Sequence, residues 1–298
     1  MQIVRYRAAD GKVSPGLLSS ANQTSGHIVP LDRAVHDILN LRLYEIRALV
    51  EKASQTAGDS QPLANLLAPI DGDTEVWAAG VTYKRSEEAR REESDTPDIY
   101  TKVYSAERPE LFFKGLARRV SGPNAPIAVR ADSTWDVPEP ELVIAINAHG
   151  EIVGYTVGND VSSRSIEGEN PLYLPQAKVY AGSCALGPGI TPAWEIHDPY
   201  NLTIHMSIER AGRTHWQGQT STGDLKRRLD ELATFLFREN EFPAGALLCT
   251  GTALVPEHPF TLEPGDVVEI AIDSLGVLRN SVVRGKAAYI AARKATPS

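Results

Sequence analysis

Residues 133–170 of this chain, STWDVPEPELVIAINAHGEIVGYTVGNDVSSRSIEGEN, form the stretch that decides the fold. Two apolar, β-branched runs, ELVIAI (141–146) and EIVGYTV (151–157), lie on either side of a short polar segment at 148–150. Runs of this length and composition, separated by a glycine-containing turn, are typical of two antiparallel strands. The sequence therefore predicts a β-hairpin near the middle of the chain.

The predicted hairpin brings acidic side chains together at its open end. A turn at 148–150 pairs Glu139 with Asn159 and Glu141 with Val157, give or take one or two residues with the type of turn. Asp160 therefore arrives at the same end as the two glutamates. Glu139 and Glu141 are two residues apart on an extended chain and therefore point to the same side. We expect their carboxylates and that of Asp160 to lie close together.

Carboxylates this close repel one another strongly unless a cation lies among them. Ligands that are all oxygen atoms favour a hard ion over zinc, with Mg²⁺ first and Mn²⁺ or Ca²⁺ as alternatives. The simpler alternative is that Glu139 and Glu141 form the solvent face of a half-buried strand. The proline before each glutamate and Asp160 across the hairpin favour a metal site with these three residues as ligands.

The rest of the chain indicates an α+β protein that is mostly β. Short runs rich in β-branched or aromatic residues recur between Gly, Pro and Asp, from VWAAGV (76–81) to DVVEIAI (266–272). Apolar residues at helical spacing predict helices at about 31–53 and from Leu225 to Leu236. Many strands with few helices favour a folded antiparallel sheet or barrel over a doubly wound sheet.

A composition change divides the chain into two predicted units. The stretch at 57–73 is rich in Gly, Asp, Pro and Gln, as expected of a linker. We expect a small N-terminal α+β module at 1–72 and a larger, mostly β domain at 73–298. No glycine-rich phosphate-binding motif follows a predicted strand, so nucleotide binding has no support.

Composition and charge exclude several classes of protein. The chain has 298 residues, of which 42% are hydrophobic and 23% charged, so it is not a largely disordered protein. The net charge of −8 argues against nucleic-acid binding, and no stretch has the apolar length of a membrane helix. Without a recognisable signal peptide, a cytoplasmic location is expected. Cys184 and Cys249 have apolar neighbours and are expected to be buried free thiols.

The segment Lys84–Asp95, KRSEEARREESD, is almost wholly charged. Glu87 and Arg91 have the spacing of a helical ion pair, so a helix is expected here. One interpretation is a solvated surface helix. The other is a mobile lid beside a site, because a helix without an apolar stripe gains little by docking.

Together, these motifs resemble the fumarylacetoacetate hydrolase superfamily. The pattern is E-x-E, then Asp160 of G-N-D-V-S-x-R nineteen residues after Glu141, then Lys178 and TGT at 250–252. This resemblance covers most of the chain. It implies a mixed β-roll catalytic fold, a divalent metal bound by Glu139, Glu141 and Asp160, and a homodimer or homotetramer.

Within this superfamily the chain is most similar to the 2-keto-3-deoxy-D-arabinonate dehydratases. The similarity rests on SAERPELFFKG (105–115), VPEPELVIAI (137–146), ENPLYLPQAKVYAGSCALGP (169–188) and TGTALVP (250–256). It implies that Lys178 and Thr252 contact the 2-oxo acid end of a small-molecule substrate. It also places Glu110 near the reacting carbons, so that Glu110 and Lys178 are the candidate catalytic residues.

The chain departs from the hydrolases and decarboxylases of this superfamily at one motif. Those proteins typically have a tyrosine, a histidine three residues later and a glutamate three further, and this His–Glu pair activates water. Here Tyr83 is followed at those positions by Ser86 and Ala89, which cannot form such a pair. Water activation of the usual kind is therefore not expected.

Three functions remain open from the sequence. The first is a metal-dependent dehydratase of a 2-keto-3-deoxypentonate, which loses its C4 hydroxyl through a metal-stabilised enolate and gives 2,5-dioxopentanoate. The second is a hydrolase or decarboxylase of acylpyruvates and related oxo acids. The third is a non-catalytic protein that binds oxo acids. The crowded carboxylates count against the third, and the missing His–Glu pair counts against the second.

Overall fold

The computed structural model describes residues 1–22, 24–93 and 97–295, and over these residues the chain is mostly β-sheet. Most strands coincide with the β-branched and aromatic runs of the sequence. The strands, in chain order, are β1 (Gln2–Arg7), β2 (Val13–Ala21), β3 (Ser25–Pro30), β4 (Asp59–Pro62), β5 (Leu66–Leu67), β6 (Glu75–Gly80), β7 (Glu110–Leu116), β8 (Ile127–Val129), β9 (Asp136–Val137), β10 (Pro140–Ile146), β11 (Ile152–Asp160), β12 (Ser162–Ser163), β13 (Cys184–Pro192), β14 (Thr203–Arg210), β15 (Arg213–Ser221), β16 (Ala246–Cys249), β17 (Val267–Ile272) and β18 (Gly276–Arg284).

The helices of the described residues are short and lie between the strands. In chain order they are α1 (Val35–Asn40), α2 (Leu43–Ser54), α3 (Lys84–Glu93), α4 (Pro97–Ser105), α5 (Arg164–Glu169), α6 (Leu174–Lys178), α7 (Leu229–Phe237) and α8 (Gly285–Ala295). Helix α2 is amphipathic and buries Ile46, Val50 and Ala53 on one face. Helices α5 and α6 follow the central hairpin and the short strand β12.

The described strands form one long mixed sheet, a smaller five-stranded sheet and a two-stranded pair. The order in the long sheet is β4-β3-β2-β1-β13-β11-β10-β16-β6-β7, with β5 paired to β1. Strands β16 and β6 run parallel, whereas β10 and β11 are antiparallel. The smaller sheet has the order β15-β14-β17-β18-β8, and β9 pairs with β12. The predicted class, α+β and mostly β, is confirmed.

Strand β10 is buried on both faces because it sends alternate side chains into two cores. Leu142 and Ile144 pack in a core that includes β14, β17 and helix α7. Val143 and Ala145 pack in a second core that includes helices α1 and α2. A strand covered on both faces is apolar throughout instead of alternating with polar residues. This explains the continuous run ELVIAI and makes the hairpin a rigid support for the site.

The first residues of the chain share a sheet and a core with the rest. Strand β1 pairs with β13 through Ile3 and Ile190. The second core contains Ile3 and Leu17 together with Val143 of the hairpin. A domain boundary at residue 72 stays a prediction, and both the long sheet and this core extend across it.

The hairpin forms as predicted, with a register one residue away from the expected one. Glu141 pairs with Gly158, whereas Val157 was expected. The register shifts between Ala145 and Ile146, where an irregularity in the ladder takes up one residue. Glu139 faces Asp160, whose backbone N–H donates to the Glu139 carbonyl at 3.0 Å.

Two predicted helices are shorter than their apolar spacing indicated. The pattern at about 31–53 is split into α1 and α2, because Arg42 is extended and its N–H donates to the Glu45 carboxylate at 2.9 Å. The helix expected from Leu225 begins at Leu229. Leu225 instead closes a 3₁₀ turn, with its N–H donating to the Thr222 carbonyl at 3.2 Å.

The structure also bears on the expectations for membrane helices and for the two cysteines. Within the described residues, no helix has both the length and the apolar character needed to cross a membrane. Cys184 and Cys249 are buried and free, as predicted. Burial raises the pKa of the Cys184 thiol to about 12, so this thiol is protonated at neutral pH.

Candidate active site

The open end of the hairpin gathers Glu139, Glu141 and Asp160, called the acidic trio below. One carboxylate oxygen from each lies within 4.8 Å of the others, and all three residues are buried. A hydrogen bond from backbone to side chain helps to hold the ends of the two strands together, since the Glu139 N–H donates to the side-chain oxygen of Asn159 at 3.2 Å. The predicted convergence of these three carboxylates is confirmed.

Glu141 is held by the TGT turn that follows β16. The Gly251 N–H donates to Glu141 Oε2 at 2.6 Å. Gly251 has a φ of +90°, and a side chain there would meet the Thr82 hydroxyl at 2.0 Å. Glycine is therefore required where this turn meets the trio. Burial raises the pKa of Glu141 well above its usual value, and Asp160 and Glu139 raise it further.

Lys178 lies directly on the acidic trio. Its ammonium donates to Glu139 Oε2 at 2.8 Å, to Asp160 Oδ2 at 3.2 Å and to Ser162 Oγ at 2.6 Å. Helix α6 ends at this residue, and only 2% of Lys178 is exposed. The predicted substrate lysine is thus a buried residue that forms ion pairs with two of the three carboxylates.

Lys114 and Arg164 are two further cations that the sequence reasoning missed. Lys114, on β7, forms an ion pair with Asp160 and donates to the carbonyl of Val161 at 3.3 Å and to that of Lys178. Arg164, at the start of α5, lies 3.3 Å from Glu139 Oε1. A lysine inside the apolar strand ELFFKGL was the available signal for Lys114, because buried lysines need a partner.

These cations correct one step of the sequence reasoning. The crowded carboxylates were expected to require a metal ion, but Lys114, Lys178 and Arg164 supply as many positive charges as the trio has negative ones. Crowding alone therefore neither demands a metal nor excludes a non-catalytic protein. The donor set still fits a hard divalent cation, because buried carboxylate oxygens converge on one point that also faces a cavity.

A cavity of about 480 Å³ opens in front of Glu139 and Asp160. Glu110, Lys178 and Thr252 line the same cavity, so the structure brings the predicted substrate residues to one place. The Thr252 hydroxyl is oriented by the backbone of Leu254, whose N–H donates to it at 3.1 Å. The remaining lining is partly apolar and includes Phe112, Leu174, Trp216 and Val255.

The cavity also includes Ser86, which stands where the hydrolases of the family have the histidine of their His–Glu pair. Ser86 lines the cavity, and its hydroxyl donates to the Tyr83 carbonyl at 2.8 Å. Ser86 therefore stabilises the first turn of α3 and is poorly placed to act as a base. Ala89 follows in the same helix. None of the described residues that line the cavity is a histidine.

Helix α3 differs from the solvated helix that its composition suggested. Glu87 is buried, with 1% of its surface exposed, and it bonds Lys84 at 2.6 Å and Thr101 of α4 at 2.8 Å. Arg91 lies 3.6 Å from Glu87, as its spacing predicted. Arg85 lines the cavity, whereas Asp95, the end of the predicted lid, lies outside the described residues.

Comparisons with known proteins agree with this arrangement. The fumarylacetoacetate hydrolase C-terminal family matches residues 75–283, which include the acidic trio and most of the cavity. The chain belongs to the fumarylacetoacetate hydrolase family. The members most informative for this site are dehydratases and not hydrolases.

Two such relatives are known by sequence. The first, a probable 2-keto-3-deoxyxylonate dehydratase of Haloferax volcanii, is 55% identical over 72% of this chain and 73% of its own. The second, a 2-dehydro-3-deoxy-D-arabinonate dehydratase of Saccharolobus solfataricus, is 46% identical over 70% of this chain and 72% of its own.

Solved structures extend the similarity to nearly the whole chain. A 2-keto-3-deoxy-D-arabinonate dehydratase, solved with magnesium and 2,5-dioxopentanoate, is 36% identical to this chain with a TM-score of 0.80. The match covers 96% of this chain and 100% of that one. The predicted fold, a fumarylacetoacetate hydrolase-like mixed β-roll, is confirmed.

Proposed function

We propose that this protein is a Mg²⁺-dependent hydro-lyase that converts a 2-keto-3-deoxypentonate of the D-arabinonate type into 2,5-dioxopentanoate and water. The observation that carries the proposal is one cavity that is lined by Glu110, Lys178 and Thr252 and by two members of the acidic trio, Glu139 and Asp160. The similar dehydratases, one of them solved with magnesium and 2,5-dioxopentanoate, support the same reaction.

The names of the two similar dehydratases are compatible with a single substrate. A 2-keto-3-deoxypentonate has one stereocentre, at C4, because C2 is a ketone and C3 is a methylene. Arabinonate and xylonate of the same C4 configuration therefore give the same keto acid. Recognition of the substrate needs contacts to C4 and to the 2-oxo acid end, and no contact that distinguishes the two parent sugars.

The 2-oxo acid end of the substrate binds at the acidic trio. Glu139, Glu141 and Asp160 would hold the divalent cation, which supplies positive charge to stabilise the negative charge developing on the 2-oxo oxygen. Once the cation takes the place of the Lys178 ammonium against Glu139 and Asp160, the N–H groups that this frees would donate to the 2-oxo oxygen. The Thr252 hydroxyl accepts from the Leu254 N–H at 3.1 Å, and its single proton, which points to the Leu254 carbonyl at 3.2 Å, would turn to the substrate carboxylate when substrate binds.

Glu110 removes the proton from C3. This residue lies in the cavity wall on β7, and a half-buried carboxylate beside an apolar lining is suited to general-base catalysis. The C3–H bond breaks, a C3–C4 double bond forms, and the C4 hydroxyl leaves as water with the proton that Glu110 took from C3. Proton shifts from C5 to C3 and from the C5 hydroxyl to C4 then give the 5-oxo group of the product.

The other two functions have weaker support. Hydrolysis or decarboxylation of acylpyruvates needs an activated water, and the cavity lining offers Ser86 where such proteins have a histidine. A non-catalytic oxo-acid-binding protein has no use for Glu110 in the cavity wall. We also propose that the chain forms a homodimer or homotetramer and acts in the cytoplasm, and light scattering after size-exclusion chromatography tests the assembly.

The experiment that tests the function compares substrates and metals. Purified protein is stripped of divalent ions and incubated with 2-keto-3-deoxypentonates or acylpyruvates, with and without Mg²⁺ or Mn²⁺, and the products are identified by mass. We expect loss of one water from a 2-keto-3-deoxypentonate only when metal is present. Full turnover in excess chelator would refute the metal dependence, and pyruvate as the main product would refute the dehydratase.

A further inference from the structure

Gly80 and Glu110 face each other across the strand pair β6–β7. They are direct partners in the antiparallel ladder, and both line the cavity. A Cβ atom at residue 80 would lie 2.0 Å from Glu110 Oε2 and 2.6 Å from Glu110 Cδ. Both distances are far below van der Waals contact, so the carboxylate of Glu110 occupies the space that any side chain at residue 80 would fill.

The requirement for glycine here comes from space and not from backbone conformation. Gly80 is not among the described glycines with positive φ, so an alanine can adopt its backbone angles. The conflicting atoms belong to the end of a flexible glutamate side chain. An alanine at 80 would therefore move the carboxylate and leave the β6–β7 ladder intact.

We propose that Gly80 is a positioning residue for Glu110. Because residue 80 has no side chain, the Glu110 carboxylate can lie against strand β6 in the wall of the cavity. In this position it reaches C3 of the substrate. This inference rests on the proposed function, in which Glu110 takes the C3 proton. A displacement of about 1 Å at a catalytic group lowers turnover by roughly 10²-fold.

The same strand pair provides a matched control at Gly115. Gly115 lies on β7 opposite Val76, and a Cβ atom there would meet nothing within 4 Å. Gly80→Ala and Gly115→Ala thus make the same chemical change on the same two strands, and only the first meets Glu110. Any general effect of replacing glycine in these strands appears in both variants.

The kinetic test measures kcat, KM and the Mg²⁺ dissociation constant for both variants. We expect Gly80→Ala to lower kcat by about 10²-fold with little change in Mg²⁺ affinity. Gly115→Ala should keep the wild-type values. In a Glu110→Gln background, Gly80→Ala should cause no further loss, because the carboxylate that it displaces is already absent. A wild-type kcat for Gly80→Ala, or an equal loss in both backgrounds, would overturn the proposal.

A spectroscopic readout separates this inference from the dehydratase reaction itself. In ¹³C NMR spectra, the Glu110 carboxyl signal is assigned by its loss in Glu110→Gln. We expect Gly80→Ala to shift that signal and Gly115→Ala to leave it in place, whichever substrate the protein uses. An unchanged Glu110 signal in Gly80→Ala would overturn the proposal even if the dehydratase activity is found.

Discussion

At the scale of single residues, the site is a balance of buried charges. Glu139 and Asp160 share the ammonium of Lys178, and Asp160 also contacts Lys114. Breaking a buried pair by removing one partner leaves an uncompensated charge, so every substitution here changes both stability and ion binding. The two lysines differ in surroundings, because Lys114 also bonds two backbone carbonyls whereas Lys178 faces the cavity.

Glu141→Gln is expected to remove most of the Mg²⁺ affinity. The amide keeps the volume of the side chain and can still accept the Gly251 N–H, but it lacks the charge that attracts a cation. Changes in groups that merely support a ligand cost 10–100-fold, so loss of a ligand charge should weaken binding by roughly 10²-fold or more. Isothermal titration calorimetry measures this, with Glu269→Gln on β17 as the control. Wild-type affinity would contradict the assignment of Glu141.

Lys178→Met is expected to bind Mg²⁺ more tightly and to lose activity. In wild-type protein the ion must displace an ammonium that lies 2.8 Å from Glu139 and 3.2 Å from Asp160. Removing this charge should improve affinity by at least about tenfold, which corresponds to about 1.4 kcal/mol. Calorimetry on metal-free protein is the measurement, with the exposed Lys52→Met as control. Unchanged or weaker binding would mean that Lys178 does not compete with the ion.

At the scale of elements, short strand β9 supports the site and contains a buried acid. Asp136 pairs with Ser163, which precedes α5 and Arg164. Asp136 is fully buried, and a side-chain nitrogen of Arg284 lies 4.0 Å from its carboxylate. Burial raises the pKa of Asp136 to about 6, and a hydrogen bond from Ser133 and the charge of Arg284 oppose this shift only in part.

The raised pKa of Asp136 predicts a pH-dependent stability. Between pH 4 and pH 6 the unfolded chain has released this proton while the folded chain retains it, so the free energy of unfolding falls as pH rises. Asp136→Asn lacks this titrating group. The difference in the free energy of unfolding between the two proteins should therefore change by on the order of 3 kcal/mol from pH 4 to pH 7.5. Urea unfolding at several pH values measures it. Parallel curves for the two proteins would contradict the prediction.

Helix α3 is expected to become protected when ligand binds. The ion pair between Arg85 and Glu257 joins two side chains that are 51% and 79% exposed. It therefore contributes little to holding α3 in place. Hydrogen exchange of the amides in Lys84–Glu93 should slow when Mg²⁺ and product analogue are added, whereas amides of α2 should not change. Equal exchange with and without ligand would identify α3 as a fixed surface helix.

At the scale of the whole molecule, the sequence predicted what is local along the chain. Glu139, Glu141 and Asp160 belong to one hairpin, so turn length and alternation were enough to bring them together. Distant partners could not be read in this way. Lys114 meets the Lys178 carbonyl across 64 residues, and Gly251 meets Glu141 across 110. Such pairs depend on how β7 and the TGT turn pack around the hairpin.

The resemblance to the fumarylacetoacetate hydrolase family indicated site residues that local sequence patterns did not. It pointed to Lys178, Thr252 and Glu110, and the structure places all three at one cavity. The placement of Glu110 against Gly80 could not be anticipated, because cross-strand pairing of β6 with β7 becomes visible only in the folded sheet. The register of the hairpin could be predicted only to within one or two residues, since a ladder irregularity does not show in the apolar pattern.

The proposed reaction at this cavity removes water from a 2-keto-3-deoxypentonate and does not cleave carbon–carbon bonds. The most direct measurement supplies ¹³C-labelled 2-keto-3-deoxypentonate and acetylpyruvate together to the Mg²⁺-loaded protein and follows both by ¹³C NMR. We predict an aldehyde carbon and a new methylene from 2,5-dioxopentanoate while acetylpyruvate persists. Accumulation of pyruvate and acetate while the sugar acid stays intact would contradict the proposed dehydratase activity.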